Sequence, residues 1–294
     1  MNTEIAKLEK KRKLWVTQTI IFIVTFVMYV LYTISSTLII REKPVPAIYA
    51  LYIFYVIWIL VLILQKGKLK TSLTKQIMQE ALKEELKTLK YDVESGIPER
   101  YFVESEFLKK YTNYYTSNYL AGVLENNFKF QLADIAVTKR ETDMRGNKQT
   151  VTLFKGIFAV LEKDKVNEFD LAIMPDVKNK YMNQILNGFK KMTGVKDIVR
   201  LENTEFERYF EVYSDNQIEA RKIITVEFME KLLALRKRFD KPITVLYKKN
   251  KVYFFANRGN IVAEKDILYK GVTTETIHKT TKIIMDLYDT MKLL

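Results

Sequence analysis

Two stretches without a charge decide what this chain can be. Residues 14 to 40, LWVTQTIIFIVTFVMYVLYTISSTLII, and residues 45 to 64, VPAIYALYIFYVIWILVLIL, hold no Asp, Glu, Lys, Arg or His. As helices they extend roughly 40 Å and 30 Å, against a hydrocarbon core of about 30 Å. Both read as transmembrane helices. The link between them, REKP at residues 41 to 44, is short enough to require a helical hairpin that crosses out and back. KKRK at positions 10 to 13 resembles the basic start of a signal peptide. The apolar run that follows is longer than a signal core, however, and no A-x-A-like cleavage site comes after it.

The flanks orient the hairpin. Lys7, Lys10, Lys11, Arg12 and Lys13 precede the first span, and Lys66, Lys68, Lys70 and Lys75 follow the second, whereas the link carries only Arg41 and Lys43. The positive-inside rule then places both termini, residues 1 to 13 included, on the cytoplasmic side. Lys10, Lys11, Arg12, Lys13, Lys66, Lys68 and Lys70 are the candidates for contact with anionic lipid headgroups. Up to Lys70 there are ten basic and three acidic residues, so +7 of the chain's +13 belongs to this region and only +6 to the remaining 224 residues. The basic balance is largely a membrane signature, and without an RNP, KH or helix-turn-helix pattern nucleic acid is not an expected partner. With no ionisable group inside either span, transport by the pair alone is not expected; they read as an anchor.

Residues 65 to 96 read as a juxtamembrane amphipathic helix, with Ile77, Ala81, Leu82, Leu86 and Leu89 on one stripe ended by Gly96-Ile97-Pro98. Fewer than three heptads support a coiled coil between copies, so packing on its own domain is the expectation. Residues 97 to 294 read as one soluble α+β domain: a mostly antiparallel sheet with packed helices. The expected elements are a helix from about Glu99 to Tyr119 and an antiparallel pair, FKFQLADIAVTKR with QTVTLFKGIFAVLEKD. A strand FDLAIMP follows, then a helix from Asp176 to about Gly194 buried through Met182, Ile185, Leu186 and Phe189. Strands through Ile198 to Leu201 and Tyr209 to Tyr213, a helix over Phe228 to Phe239, a hairpin turning at Lys249-Asn250 and a last helix from about Thr274 complete the domain.

Site chemistry is sparse. The chain has no cysteine and one histidine, His278, expected to be a structural residue, so zinc with its usual ligands is excluded. No phosphate-binding glycine loop and no nucleophile triad can be assembled, and no cofactor is implied. Tyr101, Tyr111, Tyr114, Tyr115 and Tyr119 could stack bases or sit at a membrane interface, but a shared helical face with Phe107 and Leu108 makes them core. Gly156 in Phe154-Lys155-Gly156 invites a close backbone approach, with a bulge or tight packing favoured over a ligand. The densest polar cluster is EVYSDNQIEAR at 211 to 221. Ser214 and Gln217 have capping-box spacing and Asp215 suits a first helical turn, which makes this a strand-to-helix corner. Asp215, Glu219 and Arg221, with Glu202 or Glu211 nearby, remain the weak catalytic candidates.

The ordered run YDVESGIPERYFVESEFL, YTSNYLAGVLENNFKFQLADI, TLFKGIFAVLEKD and VRLENTEFERYFEVYSDNQIEARKIITVEFMEKLLALR resembles the bacterial domain of unknown function 3137 family. The resemblance covers residues 66 to 294. It departs from the family pattern at Asn203-Thr204, where an Asp-Pro pair is usual, and at Val226, where proline commonly begins the helix. It implies two N-terminal transmembrane helices, a cytoplasmic domain at the bacterial inner membrane and no carried-over activity. Some relatives are encoded beside LemA-type membrane proteins, which implies an envelope-associated complex. Two functions follow as expectations. One is a membrane-anchored interaction module, partnered by the lipid bilayer and by other membrane proteins or further copies of itself. The alternative is a hydrolase or transferase acting on a lipid or peptide at the membrane, which needs the candidate acids and Arg221 to converge.

Overall fold

The computed structural model describes residues 3–38, 46–82, 88–123, 127–142, 146–164, 166, 168–176, 198–259, 267–268 and 271–294. The elements, in order, are α1 (Thr3–Leu38), α2 (Pro46–Ala81), β1 (Lys90–Asp92), α3 (Glu99–Ser105), β2 (Asn113–Val123), β3 (Lys129–Thr142), β4 (Lys148–Glu162) and β5 (Leu171–Pro175). They continue with α4 (Thr204–Glu207), β6 (Phe210–Ser214), α5 (Gln217–Ile223), α6 (Val226–Phe239), β7 (Ile243–Lys248), β8 (Lys251–Ala256) and α7 (Thr274–Lys292). The chain divides into two compact units, Met1–Ile77 with Ala263–Ile277, and Met78–Val262 with His278–Leu294. The link at 41 to 44, Glu84 to Leu86 and residues 177 to 194 of the expected helix lie outside the described residues.

The first unit is built on an antiparallel helix pair. Phe22 meets Trp58 at 5.4 Å between ring centroids, Phe26 meets Tyr55 at 5.3 Å and Tyr29 meets Tyr52 at 4.9 Å, all edge-on. As the α1 number rises the α2 number falls, which is the register of a hairpin. Such edge-to-face pairs contribute about 0.5–1.5 kcal/mol each beyond their burial. The indole N–H of Trp15 donates to the Leu62 carbonyl at 3.0 Å. Thr19, Thr25 and Thr33 turn their hydroxyls back on carbonyls of their own helix, at 2.8, 2.9 and 2.8 Å. Ile20, Val24, Val27 and Leu31 form an exposed stripe on α1, matched by Ile53, Ile57, Leu60 and Leu64 on α2. Both helices are long and apolar enough to cross a membrane.

The second unit is an eight-stranded sheet in the order β1-β2-β3-β4-β8-β7-β5-β6, antiparallel at each pairing. One face packs under α3 and the segment after it. Phe107 stacks on Phe255 at 3.9 Å, Phe255 on Phe158 at 4.6 Å, and Phe102 closes edge-on against Phe158 at 6.0 Å. Alternate residues of the same strands, such as Phe130, Ile157, Phe254 and Val245, are buried on the opposite face, where Tyr288 of α7 meets Phe130 at 5.7 Å. Strands β5 and β7 are buried at nearly every position, so both faces of the sheet centre are covered.

Several expectations are corrected. The helix expected over Glu99 to Tyr119 stops at Ser105, because Glu106 enters the left-handed region at φ 55°, and residues 113 to 123 form β2. The aromatic and β-branched members of Tyr-Tyr-Thr-Ser-Asn-Tyr-Leu favour a pleated surface, and a register shift between Ser117 and Leu120, where Asn118 takes φ 57°, lets Tyr114 and Tyr119, five positions apart, meet the same core. Tyr114 and Tyr119 therefore pack on the core as strand residues, while Tyr115 is 57% exposed. Within the expected juxtamembrane helix, α2 ends at Ala81 and residues 90 to 92 pair with β2 as an edge strand. Ile198 makes an isolated bridge to Tyr213 rather than beginning a strand.

Gly156 resolves as a backbone approach to β8. A Cβ there would lie 2.0 Å from the Ala256 carbonyl oxygen and 2.8 Å from that of Arg258, with no flexible side chain to give way. Gly156→Ala is expected to destabilise the sheet unit by about 3 kcal/mol. Gly259→Ala, where a Cβ meets nothing within 4 Å, is the neutral control. Equal melting temperatures for the two variants of the full chain in detergent would contradict this geometry.

Candidate functional site: a charged recess at the β7–β8 turn

Strands β7 and β8 are joined by a two-residue turn in which Lys249 takes φ 54°. Such turns need a positive φ, which places Lys248 and Lys251 directly opposite each other. Two ammonium groups side by side across a strand pair repel. The acids that offset them come from the end of α3. Lys251 Nζ lies 2.6 Å from Glu104 Oε2, and Lys248 Nζ lies 3.6 Å from Glu106 Oε1 and donates to the Glu104 carbonyl at 3.3 Å. The left-handed turn at Glu106 is what brings both carboxylates to the hairpin, and Glu106 also meets Lys109 at 3.3 Å. Lys251 Nζ further sits 5.0 Å over the Tyr101 ring, and the Tyr253 hydroxyl donates to Glu104 at 3.4 Å.

These groups line a recess of about 530 Å³ together with Asp170, Lys249 and Asn250. Three carboxylates face three ammonium groups, so the recess is balanced in charge. Burial pushes the Asp170 carboxyl up, an effect partly offset by Lys248, and burial pushes Lys248 down against the pull of Glu106 and Asp170. The Tyr253 phenol is raised, first by burial and then by Glu104. Asn250 ties the turn to the end of β4: its side chain donates to the Lys163 carbonyl at 3.0 Å and its own carbonyl accepts from the Lys163 N–H at 2.8 Å. Lys163 Nζ lies 5.4 Å from the Phe128 ring and 5.8 Å from Tyr247, and burial lowers its pKa to about 8.

The residues expected from sequence are dispersed. Asp215 accepts the Asp170 N–H at 3.1 Å and so holds the rim of this recess from behind, as a backbone cap. Glu219 pairs with Lys222 at 2.7 Å on an exposed face. Arg221 donates to the Arg200 carbonyl at 3.3 Å and to Gln217 at 3.2 Å, beside a separate recess of about 640 Å³ that Glu202 and Met229 also line. Glu211 accepts the Tyr213 hydroxyl at 2.5 Å. Arg221 and Glu202 thus share a recess, while Asp215, Glu219 and Glu211 are not among its lining residues. The expected Ser214 capping box is likewise corrected: Asn216 caps α5 by accepting the Glu219 N–H at 3.1 Å, and Ser214 donates instead to the Asp170 carbonyl at 2.9 Å. A β6 that delivers Ser214 toward β5 leaves its hydroxyl too far back in the chain to cap.

His278 is exposed on α7, and no group of three metal-ligating side chains occurs among the described residues. Of the headgroup candidates, Lys10, Lys11, Lys13, Lys66 and Lys68 are exposed and Lys70 is half-buried. Arg12 is different: it is buried, pairs with Glu9 at 2.9 Å and donates to the Leu268 carbonyl at 3.1 Å. Sequence reading passed over Glu104, Glu106, Asp170, Lys248 and Lys251. The available signal was the KKNK turn, whose flanking lysines must face each other and therefore need acids from elsewhere.

The family model "Protein of unknown function (DUF3137)" matches residues 152–293. That DUF3137 segment begins within β4 and includes the hairpin lysines, Asp170 and the corner at Asp215, while Glu104 and Glu106 precede it. No curated protein matches the chain. A solved structure, the crystal structure of the mycobacterial trehalose monomycolate transport factor A, TtfA, is similar at 11% identity, with 76% of this chain and 96% of that chain covered. Its TM-score of 0.39 is too low to carry fold or function across.

Lys163 gives the site a pH signature. Its pKa is about 8 folded against 10.5 for an ordinary lysine. Between those values the unfolded chain holds more protons, so raising the pH stabilises the fold. From pH 8 to 9.5 the full chain in detergent is expected to gain about 1 kcal/mol, allowing for the solvent that still reaches the ammonium. Lys163→Met should flatten most of that rise, leaving the smaller share of Lys248; an unchanged slope would refute the assignment. Above pH 10 the raised tyrosines Tyr114 and Tyr213 reverse the sign, because unfolded tyrosines release their protons first.

Proposed function

We propose that the protein is a membrane-anchored interaction module. The α1–α2 hairpin spans the bacterial inner membrane with both termini cytoplasmic, and the sheet unit is the part that binds partners in an envelope-associated complex. The observation that carries this reading is the outward aliphatic stripe on each helix, set against an inward face closed by aromatic rings and a tryptophan hydrogen bond. A helix pair that satisfies its polar groups internally and presents Ile, Val and Leu outward is suited to lipid. The charge-balanced recess supports binding of a polar partner surface in preference to a polyanion. Lys248 and Lys251 are already paired with Glu106 and Glu104, which suits recognition by exchange of ion pairs more than proton transfer. The separation of Asp215, Glu219 and Arg221 supports the non-enzymatic side of the reading.

The absence of cysteine makes the topology directly measurable. A single Lys43→Cys is expected to react with a membrane-impermeant maleimide in intact spheroplasts, and a single His278→Cys only after lysis. Labelling of both in intact spheroplasts, or of neither, would overturn the anchoring arrangement. For the interaction itself, full-length protein crosslinked in membranes is expected to capture envelope proteins, and Lys251→Glu, which places a third acid beside Glu104, should reduce that capture. Capture that yields no membrane or envelope partner would sink the interaction reading while leaving the topology intact.

A further inference from the structure

Within the first unit, α1 and α2 both line a recess where the apolar spans give way to basic residues. A groove of about 340 Å³ opens there, with Lys11 on one wall, Lys68 on the other and Trp15 as its base. The antiparallel register that pairs Phe22 with Trp58 sets Lys11 and Lys68 at the same level. Gln18 and Gln65 line the groove toward the apolar side, and Leu14, 58% exposed, continues the wall toward the aliphatic stripe. Lys11 to Gln18 is two helical turns, about 10 Å of rise. Trp15 is fixed in this position, because its N–H is committed to the Leu62 carbonyl at 3.0 Å and its ring is buried. Among the described residues no carboxylate lines the groove; the nearby Glu9 is held by Arg12 and by the Val272 N–H at 2.7 Å.

We infer that this groove is a binding site for one anionic phospholipid, with Lys11 and Lys68 clamping its phosphate. Charge complementarity selects the occupant: two ammonium groups of one sign line the groove with no acid among the described lining residues, and a phosphate oxygen can take a charge-assisted hydrogen bond from each. The polarity gradient sets its direction. The phosphate lies at the lysines, the glycerol esters at the Gln18 and Gln65 amides, and the acyl chains pass Leu14 into the hydrocarbon. A volume of about 340 Å³ accommodates a glycerophosphate headgroup and leaves the chains outside. The site differs from diffuse attraction of juxtamembrane lysines to the leaflet, because it uses two of them and leaves Lys10 and Lys66 free to the surface. It rests on the membrane-spanning reading of the hairpin.

The test is native mass spectrometry of the full-length protein released from vesicles, either phosphatidylglycerol in phosphatidylcholine or phosphatidylcholine alone. The wild type is expected to retain a single phosphatidylglycerol, with occupancy about tenfold above phosphatidylcholine. Lys11→Gln with Lys68→Gln should bring occupancy to the phosphatidylcholine level, whereas Lys10→Gln with Lys66→Gln, equal in charge, should leave it unchanged. All four lysines are exposed, so neither double variant removes a buried contact. An equal loss in both variants, or no preference in the wild type, overturns the groove. Wild-type protein that fails to float with the vesicles overturns the anchor instead, which separates the two failures.

Discussion

The sheet centre is buried on both faces, and the placement of the charged recess in the second unit follows from that constraint. Along β5 and β7 every side chain but Lys248, whichever way the pleat turns it, meets core, and the Phe107–Phe255–Phe158 stack occupies the middle of one face. An unpaired charge there would cost several kcal/mol. A buried charge there needs a partner, as Asp134 within β3 accepts from the Asn118 side chain at 2.7 Å, and the larger polar clusters lie at strand ends and turns. The recess at the β7–β8 turn is such a place, and the corner at Ser214–Asn216 is another. They communicate through Asp170, whose backbone is held at both its N–H and its carbonyl by that corner. Gly156 shows the same constraint on the backbone: the end of β8 comes so near β4 that there is no room for a methyl group.

Much of this was legible in the sequence, and the parts that were not share a cause. The β3–β4 pair, β5, the β7–β8 hairpin, α6 and α7 announce themselves through local period and turn chemistry, since each pairs or packs through its own alternation. The misread segments are β1 and β2. Tyr111, Tyr114 and Tyr115 satisfy helical spacing as well as strand alternation, and what decides between them is one residue, Glu106, entering the left-handed region at φ 55°. A three-residue edge strand such as β1 exists only because β2 offers it a partner, and nothing inside Lys90–Asp92 could declare that in advance.

The candidate site was less legible than the fold, for a related reason. Sequence reading favours density, and EVYSDNQIEAR is dense. Its polarity proves local: Asn216 caps α5, Gln217 holds Arg221, and Glu219 holds Lys222. The recess draws Glu104 and Glu106 from α3 and Lys248 and Lys251 from residues more than 140 positions later, so no window of sequence contains it. Only the requirement that two opposed lysines find acids points toward it. Asp215 joins the two regions, in the place sequence suggested but as an acceptor for backbone rather than as a chemical acid.

The same distinction separates charges in the first unit. Rules that count basic residues treat KKRK as four equivalent contributions to topology. In the structure Arg12 turns inward, neutralised by Glu9 and donating to Leu268, while Val272 takes the other oxygen of the same carboxylate. Gly271 completes the arrangement at φ 85°, in a space where a Cβ would lie 2.7 Å from that carboxylate. An arginine suits this inner position because its planar fork can satisfy a carboxylate and a carbonyl together. Lys11, one residue earlier, lines the groove, where no carboxylate stands among the described lining residues. Adjacent residues of one basic cluster thus divide between holding the chain together and lining the groove, and that division comes from the 100° turn per residue of α1 rather than from composition.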